Sequence, residues 1–108
     1  MEGEHVMAIT QITQYEVMYS ANQFPPRIWL KNGANFIGQL IFMPDGAALP
    51  PDSSSGGQVN LYYHRVDFAN ALEILRHESP TYLLFNGSGP GFENGIHTTP
   101  EAVGAAGA

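Results

Sequence analysis

Apolar and polar residues alternate with a period of two along much of this chain, and the pattern predicts a protein built largely from strands. The predicted strands are rich in Ile, Val, Tyr and Phe and are separated by residues typical of turns. They cover residues 9–19, 27–31, 36–43, 58–64, 81–86 and 96–103. Asn32 and Gly33 connect the second and third of these strands, and because both residue types tolerate a positive φ they indicate a tight hairpin.

The predicted hairpin carries apolar side chains on both faces. One face consists of Trp29, Phe36, Leu40 and Phe42, and the other of Ile28, Leu30, Ile37, Ile41 and Met43. A sheet that is apolar on both sides needs a cover on each, and a helix can supply only one of them. The other cover is a second sheet layer or a partner subunit. We hypothesise that the remaining face, or an unprotected edge strand, pairs with a second copy of the chain to give a homodimer. Gly38 indicates a bulge or a close contact with an aromatic ring.

Residues 68–77 follow the helical period instead. Their apolar arc consists of Phe68, Ala71, Leu72 and Leu75, and the opposite side carries Asn70, Glu73 and His77. Asp67 is predicted to cap the first turn. The elements together predict one α+β domain over residues 1–108, in which a mainly antiparallel, twisted sheet of about six strands curls around one amphipathic helix in the order β-β-β-β-α-β-β.

Two connections stand out because they are long or rich in glycine. Residues 44–57 follow neither period and are predicted to form a flexible hairpin connection, with a lid or binding loop as the alternative. Residues 87–95 contain four glycines, which predict a tight connection with Phe92 in the core, or alternatively a loop that faces a ligand. Residues 1–7 and 104–108 are predicted to be loose termini.

Composition excludes several classes of function. The chain has 108 residues, a net charge of −6 and only four basic residues, which argues against binding to nucleic acid or to an anionic membrane surface. No apolar run reaches the roughly 20 residues of a membrane-spanning helix, and no secretory leader is recognised, so we expect a soluble, cytoplasmic protein. The chain has no cysteine, which excludes disulfides and thiolate metal ligands.

The Gly-rich loop over residues 87–95 and the end of the strand over residues 58–64 form the candidate binding surface. Backbone N–H groups of such a loop can meet a polar ligand, and neighbouring aromatic and cationic side chains can stack on it. The candidate ligand-binding residues are Tyr62, His64, Arg65, Gly87, Ser88, Gly89, Gly91, Phe92 and Glu93. The loop lacks the lysine of a P-loop and leads towards a strand, so no nucleotide cofactor is expected. The leading hypothesis is a non-catalytic interaction or small-ligand-binding module, with an unidentified protein or small molecule as its partner.

The alternative is a small acid/base enzyme, a hydrolase or an isomerase, in which Glu93 works with His97 or His64. None of the four histidines has the spacing of metal ligands, and no serine lies in a nucleophile-elbow motif. The sequence therefore predicts neither a metal site nor a serine nucleophile. A third hypothesis is a purely structural subunit of a larger assembly.

The stretch Tyr82-Leu-Leu-Phe-Asn-Gly-Ser-Gly-Pro-Gly-Phe-Glu-Asn-Gly95, followed by Thr98-Thr-Pro-Glu-Ala-Val-Gly104, resembles a segment of small bacterial proteins of unknown function. The resemblance covers the C-terminal quarter of the chain. It implies a bacterial source and a Gly-rich loop that is common to the family, and it implies no activity, cofactor or catalytic residue.

Overall fold

Two β-sheets and one helix make up residues 8–100, the part of the chain that the computed structural model describes. The strands are β1 (Ala8–Ile12), β2 (Gln14–Met18), β3 (Arg27–Asn32), β4 (Asn35–Met43), β5 (Ser53–Ser55), β6 (Gln58–His64), β7 (Thr81–Phe85) and β8 (Gly95–Thr98), and the helix is α1 (Phe68–His77), preceded by a 3₁₀ turn at Arg65–Asp67. One sheet has the order β1-β7-β8 and the other the order β2-β3-β4-β6-β5. The α+β class and the mainly antiparallel pairing are confirmed, whereas the single sheet of about six strands is wrong, since the described strands form two sheets.

The predicted strand over residues 9–19 is in fact two strands, because the chain passes from one sheet to the other at Thr13. β1 pairs with β7, whereas β2 pairs with β3. The Thr13 N–H donates to the Lys31 carbonyl oxygen at 2.8 Å, and Thr13 Oγ1 accepts the Gly33 N–H at 2.7 Å. These bonds satisfy the backbone where the chain leaves one ladder for the next. The alternation of residue types continues through this point and therefore does not reveal it.

A β-bulge lies in the hairpin of β3 and β4, as Gly38 indicated. Lys31 pairs with Phe36, but the preceding residue Leu30 pairs with Gly38, so Ile37 is an additional residue in β4. Because side chains alternate along a strand, one additional residue moves every later side chain to the opposite face.

The bulge makes the predicted division of the hairpin faces wrong. The inner face is formed by Ile28, Leu30, Leu40 and Phe42, and each of these side chains is completely buried. Trp29 lies on the outer face instead, where its indole N–H donates to Gln39 Oε1 at 3.1 Å. Gln39 in turn donates to Asn60 Oδ1 at 3.0 Å, which extends a row of polar contacts across neighbouring strands.

The segment over residues 44–57 does not connect a hairpin, because β4 and β6 run parallel. The chain crosses past β6 and forms β5 on its far side, antiparallel to β6. Gly56 and Gly57, with φ of 60° and 80°, make the tight turn between β5 and β6. The predicted hairpin connection is therefore wrong, since a parallel pair requires a crossover.

Gly38 in β4 lies close against β6 and β7. A Cβ at this position would stand 2.5 Å from the Val59 carbonyl oxygen and 3.1 Å from Leu83 Cδ2. The close approach is therefore made by the backbone of β6 and by an aliphatic side chain, and not by an aromatic ring. Only glycine fits there without moving β6.

α1 packs its predicted apolar side into the core that lies between the sheets. This side consists of Phe68, Ala71, Leu72 and Leu75. The Phe68 ring meets the Phe42 ring edge-on, with centroids 5.0 Å apart. Asp67 occupies the N-cap position, but its side chain makes no capping hydrogen bond, so that prediction is wrong. Its backbone is helical, with φ of −90° and ψ of −2°, whereas a capping residue is typically extended.

β8 ends at Thr98, so it is shorter than the strand predicted over residues 96–103. Residues 101–103 lie outside the described residues, as do the predicted loose termini 1–7 and 104–108. Within residues 8–100, no helix combines the length and the apolar character needed to cross a bilayer.

Candidate functional site

Asn94 holds the two ends of the Gly-rich loop together. Its Oδ1 accepts the Asn86 N–H at 2.7 Å, and its Nδ2 donates to the Gly87 carbonyl oxygen at 2.9 Å. The Asn86 side chain donates to the Glu93 carbonyl oxygen at 2.6 Å. These bonds give a defined shape to a segment whose glycines would otherwise have great conformational freedom.

Asp52 ties the Gly-rich loop to the five-stranded sheet. Its Oδ2 accepts a hydrogen bond from Asn94 Nδ2 at 3.0 Å, and its Oδ1 accepts the Tyr62 N–H at 2.9 Å. Hydrogen bonds to an ionised carboxylate are stronger than those between neutral groups. A single side chain thus joins the segment before β5, strand β6 and the Gly-rich loop.

Phe92 packs on the Gly-rich loop itself. A Cβ at Gly87 would stand 3.1 Å from the Phe92 ring, and Gly87 also has a φ of +146°. The Phe92 N–H donates to the Gly89 carbonyl oxygen at 3.3 Å, so the loop turns back and lays the ring over Gly87. The ring remains 38% exposed, and the prediction that Phe92 inserts into the core is therefore wrong.

One side of the Gly-rich loop borders an open groove of about 470 Å³. The groove is lined by Leu49, Pro50, Pro51, Asp52, Tyr62, Gly89, Pro90 and Phe92. It brings together two segments that are far apart in the sequence, the one before β5 and the Gly-rich loop. Its walls are proline and aromatic surface, and its carboxylate already accepts hydrogen bonds through both oxygens.

The loop also borders a cavity of about 370 Å³ between α1 and β8, which we call the helix cavity. Its apolar part is lined by Ala71, Ile74, Leu84 and Ile96, and its polar part by Tyr63, Asp67, Asn70, Glu93, Asn94, Gly95 and His97. Most of the polar groups come from the end of β6, the start of α1 and the end of the Gly-rich loop. The helix cavity is therefore amphipathic, with polar groups concentrated where these three segments meet.

Gly95 leaves space beside the hydroxyl of Tyr63. A Cβ at Gly95 would stand 3.4 Å from Tyr63 Oη. Burial raises the pKa of Tyr63 to about 12, and the negative charges of Asp52 and Asp67 contribute to the same shift. The shift keeps the Tyr63 hydroxyl protonated well above neutral pH, and the hydroxyl can donate a hydrogen bond into the helix cavity.

The residues predicted to bind a ligand do not converge on one site. Tyr62, Gly89 and Phe92 line the groove, and Glu93 lines the helix cavity. His64 lies elsewhere, where its Nε2 donates to the Ala47 carbonyl oxygen at 2.7 Å. Arg65, Ser88 and Gly91 are exposed and line neither the groove nor the helix cavity, and Gly87 supports the Phe92 ring.

Sequence reasoning missed four residues that shape these sites: Asp52, Tyr63, Asp67 and Asn94. Tyr63 was overlooked because the alternation of its strand predicts a side chain in the core. Asp67 was overlooked because its position before the helix predicts a capping residue. An asparagine near the end of a Gly-rich loop is typical of side chains that bond to backbone, and this signal could have identified Asn94. No local signal connects Asn94 with Asp52, because 42 residues separate them.

The residues proposed for acid/base chemistry are partly brought together. Glu93 and His97 both line the helix cavity, whereas His64 does not. His97 Nδ1 donates to the Thr98 carbonyl oxygen at 2.9 Å. That bond leaves Nε2 as the acceptor nitrogen of the neutral imidazole.

Within residues 8–100, no three His, Asp or Glu side chains are grouped so that they could hold a metal ion. No family model, curated protein or solved structure matches the chain. The resemblance of the C-terminal stretch to small bacterial proteins stays a prediction. A proposal for the function therefore depends on the geometry of the groove and the helix cavity.

Proposed function

We propose that the protein is a small-molecule-binding module whose ligand occupies the helix cavity. The observation that carries this proposal is the space at Gly95, which lies beside the Tyr63 hydroxyl in a pocket that also has aliphatic walls from α1, β7 and β8. Small-molecule sites are typically concave and mostly apolar, with a few polar groups that orient the ligand. The volume of about 370 Å³ is large enough for a ligand of several non-hydrogen atoms.

The helix cavity is a better candidate than the groove because its polar groups are available. The Asp67 carboxylate makes no capping bond, and neither it nor the Tyr63 hydroxyl takes part in a hydrogen bond within the described part of the chain. Asp52 in the groove already accepts two. A ligand in the helix cavity can therefore bond to these two groups without breaking a hydrogen bond within the described part of the chain.

The proposal is tested by adding fragments of fewer than about 15 non-hydrogen atoms to the ¹⁵N-labelled protein and following amide chemical shifts. We expect the fragments that bind to move the amides of Asn70, Gly95 and Ile96, which line the helix cavity. Gly95→Val should abolish these shifts, because the added side chain enters the space beside Tyr63. The matched control is Gly91→Val, since Gly91 is exposed and a Cβ there has no atom within 4 Å.

The amide spectrum of each variant also shows whether it has folded. If Gly95→Val does not fold, Ala71→Val, which adds volume to the same cavity from α1, replaces it as the blocking variant. A library that moves no amide of the helix cavity would contradict the proposal, as would blocking variants that bind fragments as well as Gly91→Val does.

A second candidate function is acid/base catalysis in the same cavity, as a hydrolase or an isomerase. It is favoured by the presence of Glu93 and His97 in the lining and by the His97 tautomer, which presents Nε2 as a proton acceptor. Fragments that bind are followed for chemical conversion over time. Conversion by the protein, lost in Glu93→Gln while the amide shifts persist, would favour the enzyme over the binding module.

A further inference from the structure

The polar part of the helix cavity contains two carboxylates that form no ion pair within the described residues. Asp67 and Glu93 are its carboxylates, and no lysine or arginine lines the cavity. The salt bridges formed within residues 8–100 pair Lys31 with Glu16 and Glu73 with His77, so neither cavity carboxylate has an ion-pair partner there. The whole chain has only four basic residues and a net charge of −6, which adds to the negative potential.

Asp67 is placed by the fold to meet a ligand. It stands at the N-cap of α1, but its helical backbone keeps the carboxylate from bonding to the first turn. Its charge reaches Tyr63, where it contributes to the raised pKa of the phenol. The carboxylate, which is an acceptor, and the phenol, which is a donor, both line the polar part of the helix cavity.

The shape of the helix cavity defines the other half of the ligand. Ala71 and Ile74 lie further along α1 than Asp67 and Asn70, and they face Leu84 and Ile96 from the three-stranded sheet. Most of the polar groups thus gather at one end, whereas the remainder is lined by aliphatic side chains with the exposed His97 beside Ile74 and Ile96. A ligand that matches this arrangement has a compact apolar body and one polar head.

We infer that the helix cavity selects a protonated amine on a compact apolar body, with the ammonium group between Asp67 and Glu93 and the apolar body against Ile74, Leu84 and Ile96. This inference rests on the proposed binding function and adds the chemical class of the ligand. An ammonium offers three donors and no acceptor, so it matches carboxylates in a way that an alcohol or a carboxylate ligand does not. The Tyr63 hydroxyl and the Asn70 side chain are available to a second polar group on the ligand.

The test compares three probes that share one ring and differ in the head group: benzylamine, benzyl alcohol and benzoate. Each is titrated into the ¹⁵N-labelled full chain at neutral pH while the amides of Asn70, Gly95 and Ile96 are followed. We expect benzylamine to bind roughly tenfold or more tightly than benzyl alcohol, because a hydrogen bond to a charged group is stronger than one between neutral groups. Benzoate should bind more weakly than either, since two carboxylates repel it.

Variants that remove one negative charge test whether Asp67 and Glu93 bind the ammonium group. Asp67→Asn and Glu93→Gln should each lower the affinity for benzylamine by roughly tenfold and leave that for benzyl alcohol unchanged. Glu73→Gln removes the same charge from an exposed site on α1 outside the cavity, and it should leave both affinities unchanged. Asp67→Glu keeps the charge, and we expect it to retain part of the preference for the amine.

Other results would contradict either the amine preference alone or the binding function as well. If the three probes bind the helix cavity equally, the preference for an amine is wrong and the binding function stands. The same conclusion follows if Glu73→Gln weakens benzylamine binding as much as Asp67→Asn does. If no probe moves the cavity amides, both the amine preference and the proposed binding function fail for ligands of this size.

Discussion

The hydrogen bonds of Asn94 should be the main constraint on the Gly-rich loop, and Asn94→Asp removes two of them at almost constant shape. An aspartate at this position can still accept the Asn86 N–H through one oxygen. It cannot donate to the Gly87 carbonyl oxygen or to Asp52, which lie 2.9 and 3.0 Å from Nδ2. It also places a second negative charge beside the Asp52 carboxylate.

The expected loss follows from these contacts. The bond to Gly87 is worth about 1 kcal/mol and the bond to the Asp52 carboxylate about 2 kcal/mol. Repulsion between charges about 3 Å apart adds at least about 1 kcal/mol even at the dielectric constant of water. Asn94→Asp should therefore lower the free energy of unfolding by about 4 kcal/mol, a large part of the 5–15 kcal/mol that is typical of a domain.

Urea denaturation followed by the fluorescence of Trp29, the single tryptophan, measures this loss. Asn35→Asp adds the same charge at an exposed residue and should stay within about 0.5 kcal/mol of the wild type. In the double variant Asp52→Asn with Asn94→Asp, the donor and the acceptor exchange places. It should recover about 3 kcal/mol of the loss, because the bond re-forms and the additional charge is gone.

Two results would refute this reasoning. If Asn94→Asp is no less stable than Asn35→Asp, the loop does not depend on the Asn94 bonds. If the double variant is no more stable than Asn94→Asp alone, the contact with Asp52 is not the cause of the loss.

Two further predictions concern the core and the buried phenol. Gly38→Ala should lower the free energy of unfolding by at least about 2 kcal/mol in urea denaturation, because its Cβ would stand 2.5 Å from the Val59 carbonyl oxygen. The control is Gly91→Ala, where a Cβ has no atom within 4 Å. A smaller effect for Gly38→Ala than for this control would contradict the close packing. The pKa of Tyr63 is raised from 10.0 to about 12, so the stability that this group contributes is complete below pH 10 and is lost as the pH rises through 12. That contribution is at most about 3 kcal/mol, and unfolding measured across this pH range should show a steeper loss for the wild type than for Tyr63→Phe. Equal slopes for the two proteins would show that Tyr63 ionises as readily in the folded state as in the unfolded state.

The elements of this protein could largely be predicted from its sequence, because they arise from patterns among neighbouring residues. The helix over residues 68–77 is correct, since its apolar residues repeat with the period of a helix. The strand over residues 58–64 and the hairpin around Gly33 are correct for the same local reason, although Asn32 ends β3 and the two turn residues are Gly33 and Ala34. The Gly-rich loop was also recognised as unusual, although its contacts were not.

The pairing of those elements could not be predicted, because it depends on residues far apart in the chain. The additional residue Ile37 places Leu40 and Phe42 of β4 on the same face as Ile28 and Leu30 of β3, and Trp29 lies on the opposite face. Alternation within β4 alone does not reveal this register. The change of sheet at Thr13 and the parallel pairing of β4 with β6 likewise depend on contacts between segments that are distant in the sequence.

For the candidate site, the sequence determined which side chains are available: a Gly-rich loop, a carboxylate at Glu93 and an imidazole at His97. Only the tertiary structure decided that these two line one cavity together with Tyr63 and Asp67, while His64 bonds to the Ala47 carbonyl oxygen away from that cavity. The physical reason is that secondary structure reflects periodicity within a few turns of chain, whereas a binding site depends on where separate segments pack together.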